Sequence, residues 1–263
     1  MDLFEIHHIK NIPVIVLRED RRYAAPLPHH MKMGALEQVC IEVKEDGYKT
    51  IGCFCTTHGI WPFGLPWLAD KHGLNSIICF PSKKIERIPH QLLPENFEDF
   101  KTNYELKLLI PNMVNINGSQ AKKHIEEQGG YYVPFGVDCE TAVETIANQF
   151  SVKELGTLIV PCGSGVTLAG VLRSIRQNKS KVEVIKAVAA HTPRILEIQR
   201  TIQKYEELPF NLDWRGAYDY GDIPDIECPW DAHPYYELKA YDWLYKNIER
   251  LPQPIAFLNI GSK

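Results

Sequence analysis

Short apolar runs alternate with longer amphipathic segments along most of the chain. The apolar runs predict strands, at 12–17, 50–55, 75–81, 131–136, 156–161 and 181–190. The amphipathic segments predict helices, at 31–47, from near 59 to 73, 118–130, 139–150 and 167–177. Because strands that alternate with helices build parallel sheets, we expect an α/β fold with mainly parallel sheets flanked by helices. Residues 207–234 are rich in Pro, Asp, Trp and Tyr and predict a long irregular loop.

The composition is that of an ordinary globular protein: 263 residues, 44% hydrophobic, 24% charged, with a net charge of −4. This balance argues against a disordered chain and against a strongly basic nucleic-acid-binding domain. No apolar run approaches the roughly 20 residues that a membrane-spanning helix needs. The first residues are too polar and acidic for a signal peptide. We therefore expect a cytoplasmic protein with no membrane partner.

Seven cysteines are scattered through apolar, strand-like surroundings. Their odd number and their dispersion predict reduced, mostly buried thiols of a cytoplasmic protein. Cys53 and Cys55 form a C-x-C pair, but no second pair completes a metal site. Core packing is the favoured interpretation of that pair, and no metal is expected.

A break into small residues follows the strand predicted at 156–161. In "VPCGSGVTLAG" (160–170) the strand leads into Gly163, Ser164 and Gly165 and then into a helix. Glycines allow a sharp turn, and the new helix offers unpaired N–H groups, so the place suits a phosphate. The loop is neither a Walker A motif nor the dinucleotide-binding fingerprint. Taken alone it is equally well explained as a tight turn that binds nothing.

The neighbouring motifs favour the phosphate. "CGSGVTLAG" resembles the loop G-[ST]-G-G-T-x-A-G, which cradles the cofactor phosphate in fold type II pyridoxal-phosphate (PLP) enzymes. Three stretches, in the same order, resemble the branch that contains 1-aminocyclopropane-1-carboxylate deaminase and D-cysteine desulfhydrase. They are "VLREDRRYAAPLPHHMKMGALEQ", "TIGCFCTTHGI" and "PYYELKA". Weaker similarities occur at "YDYGDIP" and "IAFLNIGSK". The resemblance thus extends over nearly the whole chain.

This resemblance implies a two-domain fold of the tryptophan synthase β type and a role for individual residues. Lys32 matches the Schiff-base lysine, Thr56 to His58 match a Ser-Asn-His motif, and Tyr236 matches an active-site tyrosine. The implied catalytic residues are Lys32, Tyr236 and Thr56. The implied cofactor-binding residues are Lys32, Thr57, His58, Gly163, Ser164, Gly165, Thr167 and Ser262. The implied substrate-binding residues are Thr56, Thr57, Tyr218 and Tyr220.

Each role has a plainer alternative in the local sequence. Lys32 by itself is typical of a solvated lysine on a helix. Thr56 and Thr57, at a predicted strand-to-helix junction, are suited to helix capping as well as to carboxylate binding. The tyrosines lie in an aromatic-rich region, where packing competes with acid–base chemistry.

The chain also departs from the family pattern. "HHM" replaces the usual G-G-N before Lys32, and Thr57 replaces an asparagine that contacts the cofactor. Ile260 stands where a hydroxyl residue would face the pyridine nitrogen, so Ser262 is the expected substitute. These departures bear on the substrate and the reaction more than on the fold or on phosphate binding.

The leading hypothesis is a PLP-dependent enzyme acting at the α-carbon of an amino acid or an amino-acid-like group. Deamination, elimination and decarboxylation all stay open, because the protein decides which bond breaks. A sharper variant follows from short members of this fold, which resemble bacteriophage enzymes that decarboxylate or rearrange an amino acid attached to thymine in DNA. The alternatives are a non-catalytic protein of the same fold and a phosphosugar- or nucleotide-binding α/β enzyme.

Family analogy also predicts the domain organisation. Residues 1–46 and 131–263 form the larger, cofactor-binding domain, and residues 47–130 form a smaller α/β domain. By the same analogy the ligand is expected between the domains, and the protein is expected to be a homodimer.

Overall fold

The computed structural model describes residues 3–216 and 218–262. The chain divides into two compact units, each considered separately below. The larger unit comprises Met1–Ala24, His29–Met31 and Val143–Lys263, and the smaller comprises Ala25–Pro28 and Lys32–Ala142.

A six-stranded sheet organises the larger unit, in the order β1-β2-β10-β7-β8-β9. Its strands are β1 (Phe4–Ile9), β2 (Ile12–Arg18), β7 (Glu154–Cys162), β8 (Lys181–Ala189), β9 (Leu212–Arg215) and β10 (Ile255–Asn259). The first two strands form an antiparallel hairpin, whose turn residues Lys10 and Asn11 have positive φ. All other pairings are parallel. The carboxyl ends of these parallel strands therefore share one edge of the sheet.

Four helices accompany this sheet: α4 (Glu140–Gln149, in this unit from Val143), α5 (Val166–Gln177), α6 (Ile195–Gln203) and α7 (Glu237–Asn247). Apolar side chains of the central strands pack against α7. Val14, Ile159 and Phe257 from the sheet meet Tyr241 and Leu244 from the helix in one buried cluster. Burial of such side chains supplies most of the free energy that holds the layers together.

The smaller unit contains a four-stranded, fully parallel sheet, in the order β5-β4-β3-β6. Its strands are β3 (Thr50–Phe54), β4 (Asn75–Pro81), β5 (Tyr104–Leu109) and β6 (Tyr131–Val133). Its helices are α1 (Lys32–Glu45), α2 (Leu65–Lys71) and α3 (Val114–Glu127). Close packing of α3 on the sheet explains Gly52, because a Cβ atom there would lie 2.7 Å from Cδ1 of Ile125.

The predicted α/β fold with mainly parallel sheets is confirmed, with local corrections. The helix expected from near residue 59 begins later: Trp61–Gly64 form a 3-10 turn, and α2 starts at Leu65. Pro62 and Pro66 stand early in these two elements, where the missing N–H costs least. Strands β1 and β5 were not predicted, and β9 lies inside the region expected to be irregular.

The smaller unit of the structure is larger than the smaller domain expected at 47–130, because it also includes helix α1 and strand β6. Helix α1 lies against α2 of the same unit, and both helices contain buried leucines, Leu36 in α1 and Leu68 in α2. The division into a cofactor-binding and a smaller functional domain stays a prediction.

All seven cysteines are free thiols, and five of them are buried: Cys40, Cys53, Cys55, Cys79 and Cys162. Burial raises the pKa of each of these five thiols, so they stay protonated at neutral pH. In the described ranges no helix has the length and apolarity required to cross a bilayer.

Candidate active site

Lys32 is a buried amine at the first position of α1. Only 6% of its surface is exposed, and Nζ donates a 2.7 Å hydrogen bond to the carbonyl of Gly136. Burial lowers the pKa of Lys32 to about 8, although the charges of Asp138 and Cys139 act in the opposite direction. Lys32 is therefore not a solvated surface lysine, and much of it is neutral, hence nucleophilic, near pH 8.

Thr56, Thr57 and His58 follow the carboxyl end of β3. Thr56 is buried, Thr57 is exposed, and His58 is partly buried. The carbonyl of Thr56 accepts the N–H of Gly59 in a tight turn. Among the described residues, no acceptor takes the backbone N–H of Thr56 or of Thr57. Two unpaired N–H groups at a strand end can bind a carboxylate.

Neither threonine caps a helix. The 3-10 turn begins after Ile60 and α2 begins after Gly64, and within the part of the chain that the structure describes no side chain caps either of them. The capping alternative for Thr56 and Thr57 is therefore wrong, which leaves their backbone groups for another partner.

The glycine loop joins β7 to α5. Gly165 has φ +96°, a left-handed conformation that favours glycine, and a Cβ atom there would lie 2.9 Å from the carbonyl oxygen of Ile198. Helix α5 starts at the next residue, so the N–H groups of its first turn lie beside the loop. Thr167 is buried in that turn, and Ser164 is partly buried. The assignment of this loop as a phosphate cradle stays a prediction.

Tyr236 packs on the glycine loop. A Cβ atom at Gly163 would lie 2.8 Å from Cε1 of Tyr236, so only glycine admits the ring at this distance. Tyr236 immediately precedes α7, 73 positions after Gly163 in the chain. The fold thus brings together two predicted site elements that are far apart in sequence.

Tyr220 joins the same group. Its hydroxyl oxygen lies 3.0 Å from that of Tyr236, and its ring meets the ring of His191 edge-on. Burial, with the neighbouring Tyr220, raises the pKa of Tyr236 well above its usual value. Tyr236 is therefore a protonated phenol at neutral pH, able to donate a proton or a hydrogen bond.

Tyr218 is engaged elsewhere. Its hydroxyl donates a 2.6 Å hydrogen bond to Asp242 of α7, which also accepts a 2.7 Å bond from Lys246. The Tyr218 ring packs against the core cluster of the larger unit. Its hydroxyl is therefore committed to Asp242 rather than to the Tyr220–Tyr236 pair.

Residues 260–262 pair with the residues that precede Lys32. The N–H of Met31 donates to the carbonyl of Ile260 at 2.9 Å, and the N–H of Ser262 donates to the carbonyl of His29 at 3.1 Å. His30 and Gly261 form an antiparallel bridge between them. Ile260 and Ser262 are both buried. The unusual "HHM" segment is thus the pairing partner of residues 260–262.

Glu237 is the residue that the sequence analysis missed. Its side chain is 2% exposed, and its carboxyl group accepts backbone hydrogen bonds from Ile260 and Gly261. The second oxygen, Oε2, has no partner among the described residues. Burial, with the charge of Asp20, raises the pKa of Glu237 to about 8. Its position directly after Tyr236 was the available signal, because a buried acid beside a candidate catalytic group is a common feature of active sites.

Comparison with known proteins places these groups in context. No protein-family model matches the chain. A curated relative, the glycyl-dTMP PLP-dependent decarboxylase of Pseudomonas phage M6, is 25% identical over a 275-position alignment that covers 98% of this chain and 97% of the relative.

Solved structures share the fold. A crystal structure of an ACC deaminase homologue superposes with a TM-score of 0.74 at 19% identity, over 99% of this chain and 90% of that one. A fungal L-serine ammonia-lyase from Rhizomucor miehei gives 0.66 at 14% identity, over 99% and 93%. The predicted resemblance is therefore confirmed: the chain shares the fold of the deaminase homologue, and its curated relative is a PLP-dependent enzyme.

Proposed function

We propose that this chain is a PLP-dependent decarboxylase that removes the carboxyl group of an amino acid carried on a thymidine nucleotide. The observation that carries the proposal is the buried, partly neutral Lys32 in a chain that aligns end to end with a PLP-dependent glycyl-dTMP decarboxylase. A glycyl-like group on the nucleotide is the substrate that this similarity favours. The same lysine argues against a non-catalytic protein of this fold, because its lowered pKa supplies the neutral amine that attack on an aldehyde requires.

The residues present fit the cofactor at three points. Lys32 supplies the amine that would hold it covalently. The loop Gly163–Gly165, with the first turn of α5, supplies N–H donors for its phosphate. Glu237 supplies a buried carboxyl oxygen that has no partner among the described residues. Such an oxygen could bind the pyridine nitrogen of PLP and hold it in one protonation state. We assign Glu237 this role in place of Ser262.

When bound, PLP supplies an electron sink for the bond that breaks at the α-carbon. The chain's own groups must orient the carboxylate and return a proton to that carbon. We assign carboxylate binding to the unpaired N–H groups of Thr56 and Thr57. Delivery of the proton to the α-carbon falls to Lys32 or to the phenol of Tyr236, both of which carry a transferable proton near neutral pH.

The proposal includes a homodimer in the cytoplasm. The free, mostly buried thiols support a reducing compartment. The dimer rests on the family resemblance alone, and sedimentation of the purified protein tests it.

Absorption spectroscopy with added PLP, on the wild type, Lys32→Ala and the exposed-lysine control Lys49→Ala, tests the cofactor assignment. A visible band in the wild type and the control, absent from Lys32→Ala, is the expected result. Borohydride reduction and peptide mass spectrometry would then place the added mass on Lys32. A band of equal strength in Lys32→Ala would overturn the assignment.

Carbon dioxide release tests the substrate. We expect release from glycyl-dTMP, whether as a nucleotide or within DNA, and none from free glycine or serine. Ammonia release from a free amino acid, with no reaction of the nucleotide, would replace the decarboxylase with a deaminase.

A further inference from the structure

Lys239 is a second buried lysine, remote in sequence from Lys32 and not used by the proposed chemistry. It lies in the first turn of α7 and is completely inaccessible to solvent. Its Nζ donates hydrogen bonds to three backbone carbonyls, those of Ala190 at 2.8 Å, Asp219 at 2.7 Å and Tyr220 at 3.2 Å. An ammonium group has three N–H donors, so this set of acceptors matches it in number.

The three carbonyls belong to two segments that meet at the carboxyl edge of the large sheet. Ala190 directly follows β8, and residues 219 and 220 lie in the irregular region after β9. A second link joins the same segments, because the N–H of Thr192 donates to the carbonyl of Tyr218 at 3.1 Å. Lys239 therefore fastens the segment 218–222 to the end of β8.

Tyr220 is held at both of its ends by Lys239, in the first turn of α7, and by Tyr236, which directly precedes the helix. The carbonyl of Tyr220 accepts a hydrogen bond from Lys239. Its hydroxyl is hydrogen-bonded to that of Tyr236, which lies three positions before Lys239. Tyr236 directly precedes α7 and Lys239 lies in its first turn, so both contacts on Tyr220 come from the start of this helix. The backbone contact fixes the base of the Tyr220 side chain, and the hydroxyl contact fixes its tip.

A charged donor suits this task. Hydrogen bonds from an ammonium group are stronger than those between neutral groups, and they offset part of the cost of burying the charge. Burial lowers the pKa of Lys239, while the nearby carboxylates of Asp222 and Asp219 act in the opposite direction and favour the ammonium form. An apolar side chain of the same length would leave the carbonyls of Ala190, Asp219 and Tyr220 without this donor.

We propose that Lys239 is a positioning residue that sets the Tyr220 hydroxyl against Tyr236, and through that pair orients the proton-donating phenol of Tyr236. The assignment rests on the proposed function for its catalytic consequence. Its structural part, the fastening of residues 218–222, stands independently of any activity.

The test compares Lys239→Met with Tyr220→Phe, the double variant, and Lys181→Met, a control at an exposed lysine that starts β8. In the cofactor-free proteins, amide hydrogen exchange of residues 218–222 should accelerate in Lys239→Met and stay unchanged in the control. Unchanged exchange would overturn the proposal even if the wild type proved inactive, so this failure is distinct from failure of the proposed function.

Turnover supplies the second readout. We expect Lys239→Met to lower kcat about a hundredfold with KM unchanged, as misplacement of a catalytic group does. The visible cofactor band should stay intact in every variant. The double variant should lose no more than the worse of its two parents, because both changes act on the same phenol pair.

If the loss of kcat in the double variant equalled the product of the losses in the two single variants, Lys239 would not act through Tyr220. That result would overturn the proposal. Lys239→Gln keeps an N–H donor in a shorter side chain and should retain part of the activity. It also provides the comparison with Tyr220→Phe if Lys239→Met does not fold.

Discussion

The hydroxyl oxygens of Tyr220 and Tyr236 lie 3.0 Å apart, one from the irregular region after β9 and the other from the residue before α7. At this distance one hydroxyl donates a hydrogen bond and the other accepts it. The ring of Tyr236 also lies against Gly163 of the glycine loop, which we propose as the phosphate cradle. The phenol pair therefore adjoins the place where we propose that the cofactor phosphate binds.

Replacing Tyr236 with Phe removes the proton but keeps the ring on Gly163. We expect kcat to fall by about 10²–10⁴, the usual contribution of a positioned acid–base group. The visible cofactor band should persist, because Lys32 is untouched. Tyr245→Phe, at an exposed tyrosine of α7, is the matched control and should retain full turnover. An unchanged kcat in Tyr236→Phe would assign the proton transfer to Lys32 alone.

Cofactor uptake should depend on pH through Lys32. Only the neutral amine attacks an aldehyde, and the pKa of Lys32 is lowered to about 8. The rate of band appearance after mixing with PLP should therefore rise about tenfold per pH unit below 8 and level off above it. Stopped-flow absorbance between pH 6 and pH 10 checks this. A rate still rising near pH 10 would mean that Lys32 titrates as an ordinary lysine.

Alanine at Gly165 should destabilise the protein and weaken cofactor binding together. Its φ of +96° is strained for any other residue, and the new Cβ would meet the carbonyl of Ile198 at 2.9 Å. We expect a loss of about 1–3 kcal/mol in the free energy of unfolding. Gly118→Ala, inside α3 with its nearest neighbour at 3.6 Å, is the control and should be neutral or slightly stabilising. Urea titration measures both, and equal stability of the two variants would refute the strain argument.

Glu237 should make the stability of the cofactor-free protein fall as pH rises. Its pKa is about 8 in the folded chain and near 4.5 when unfolded, so between these values the folded state binds more protons. The stability that the protonated Glu237 contributes to the folded state is fully present below pH 4.5, and it is lost as the pH rises through about 8. Glu237→Gln should remove this part of the pH dependence, and it should be the more stable protein at pH 9. If the free energies of unfolding of the wild type and Glu237→Gln changed with pH in the same way between pH 5 and pH 9, the raised pKa of Glu237 would be contradicted.

Much of the architecture could be predicted from local patterns. Runs such as 75–81 and 156–161 are apolar enough to be buried strands, and they correspond to β4 and β7. The residues at which helices and strands begin and end were less predictable, because they depend on contacts with other parts of the chain. The 3-10 turn at Trp61–Gly64 delays α2, and the exposed strand β1 gains its order from pairing with β2.

The sequence by itself determined the α/β class, the glycine loop and the candidate lysine, since periodicity and motif order are properties of the chain alone. Tertiary structure alone decided which side chains meet. Only folding buries Lys32 and lowers its pKa, brings Tyr236 onto Gly163, and commits Tyr218 to Asp242. Glu237 went unrecognised for the same reason. Burial and hydrogen-bond partners arise from residues distant in sequence, and they, rather than residue type, set the chemistry of each group.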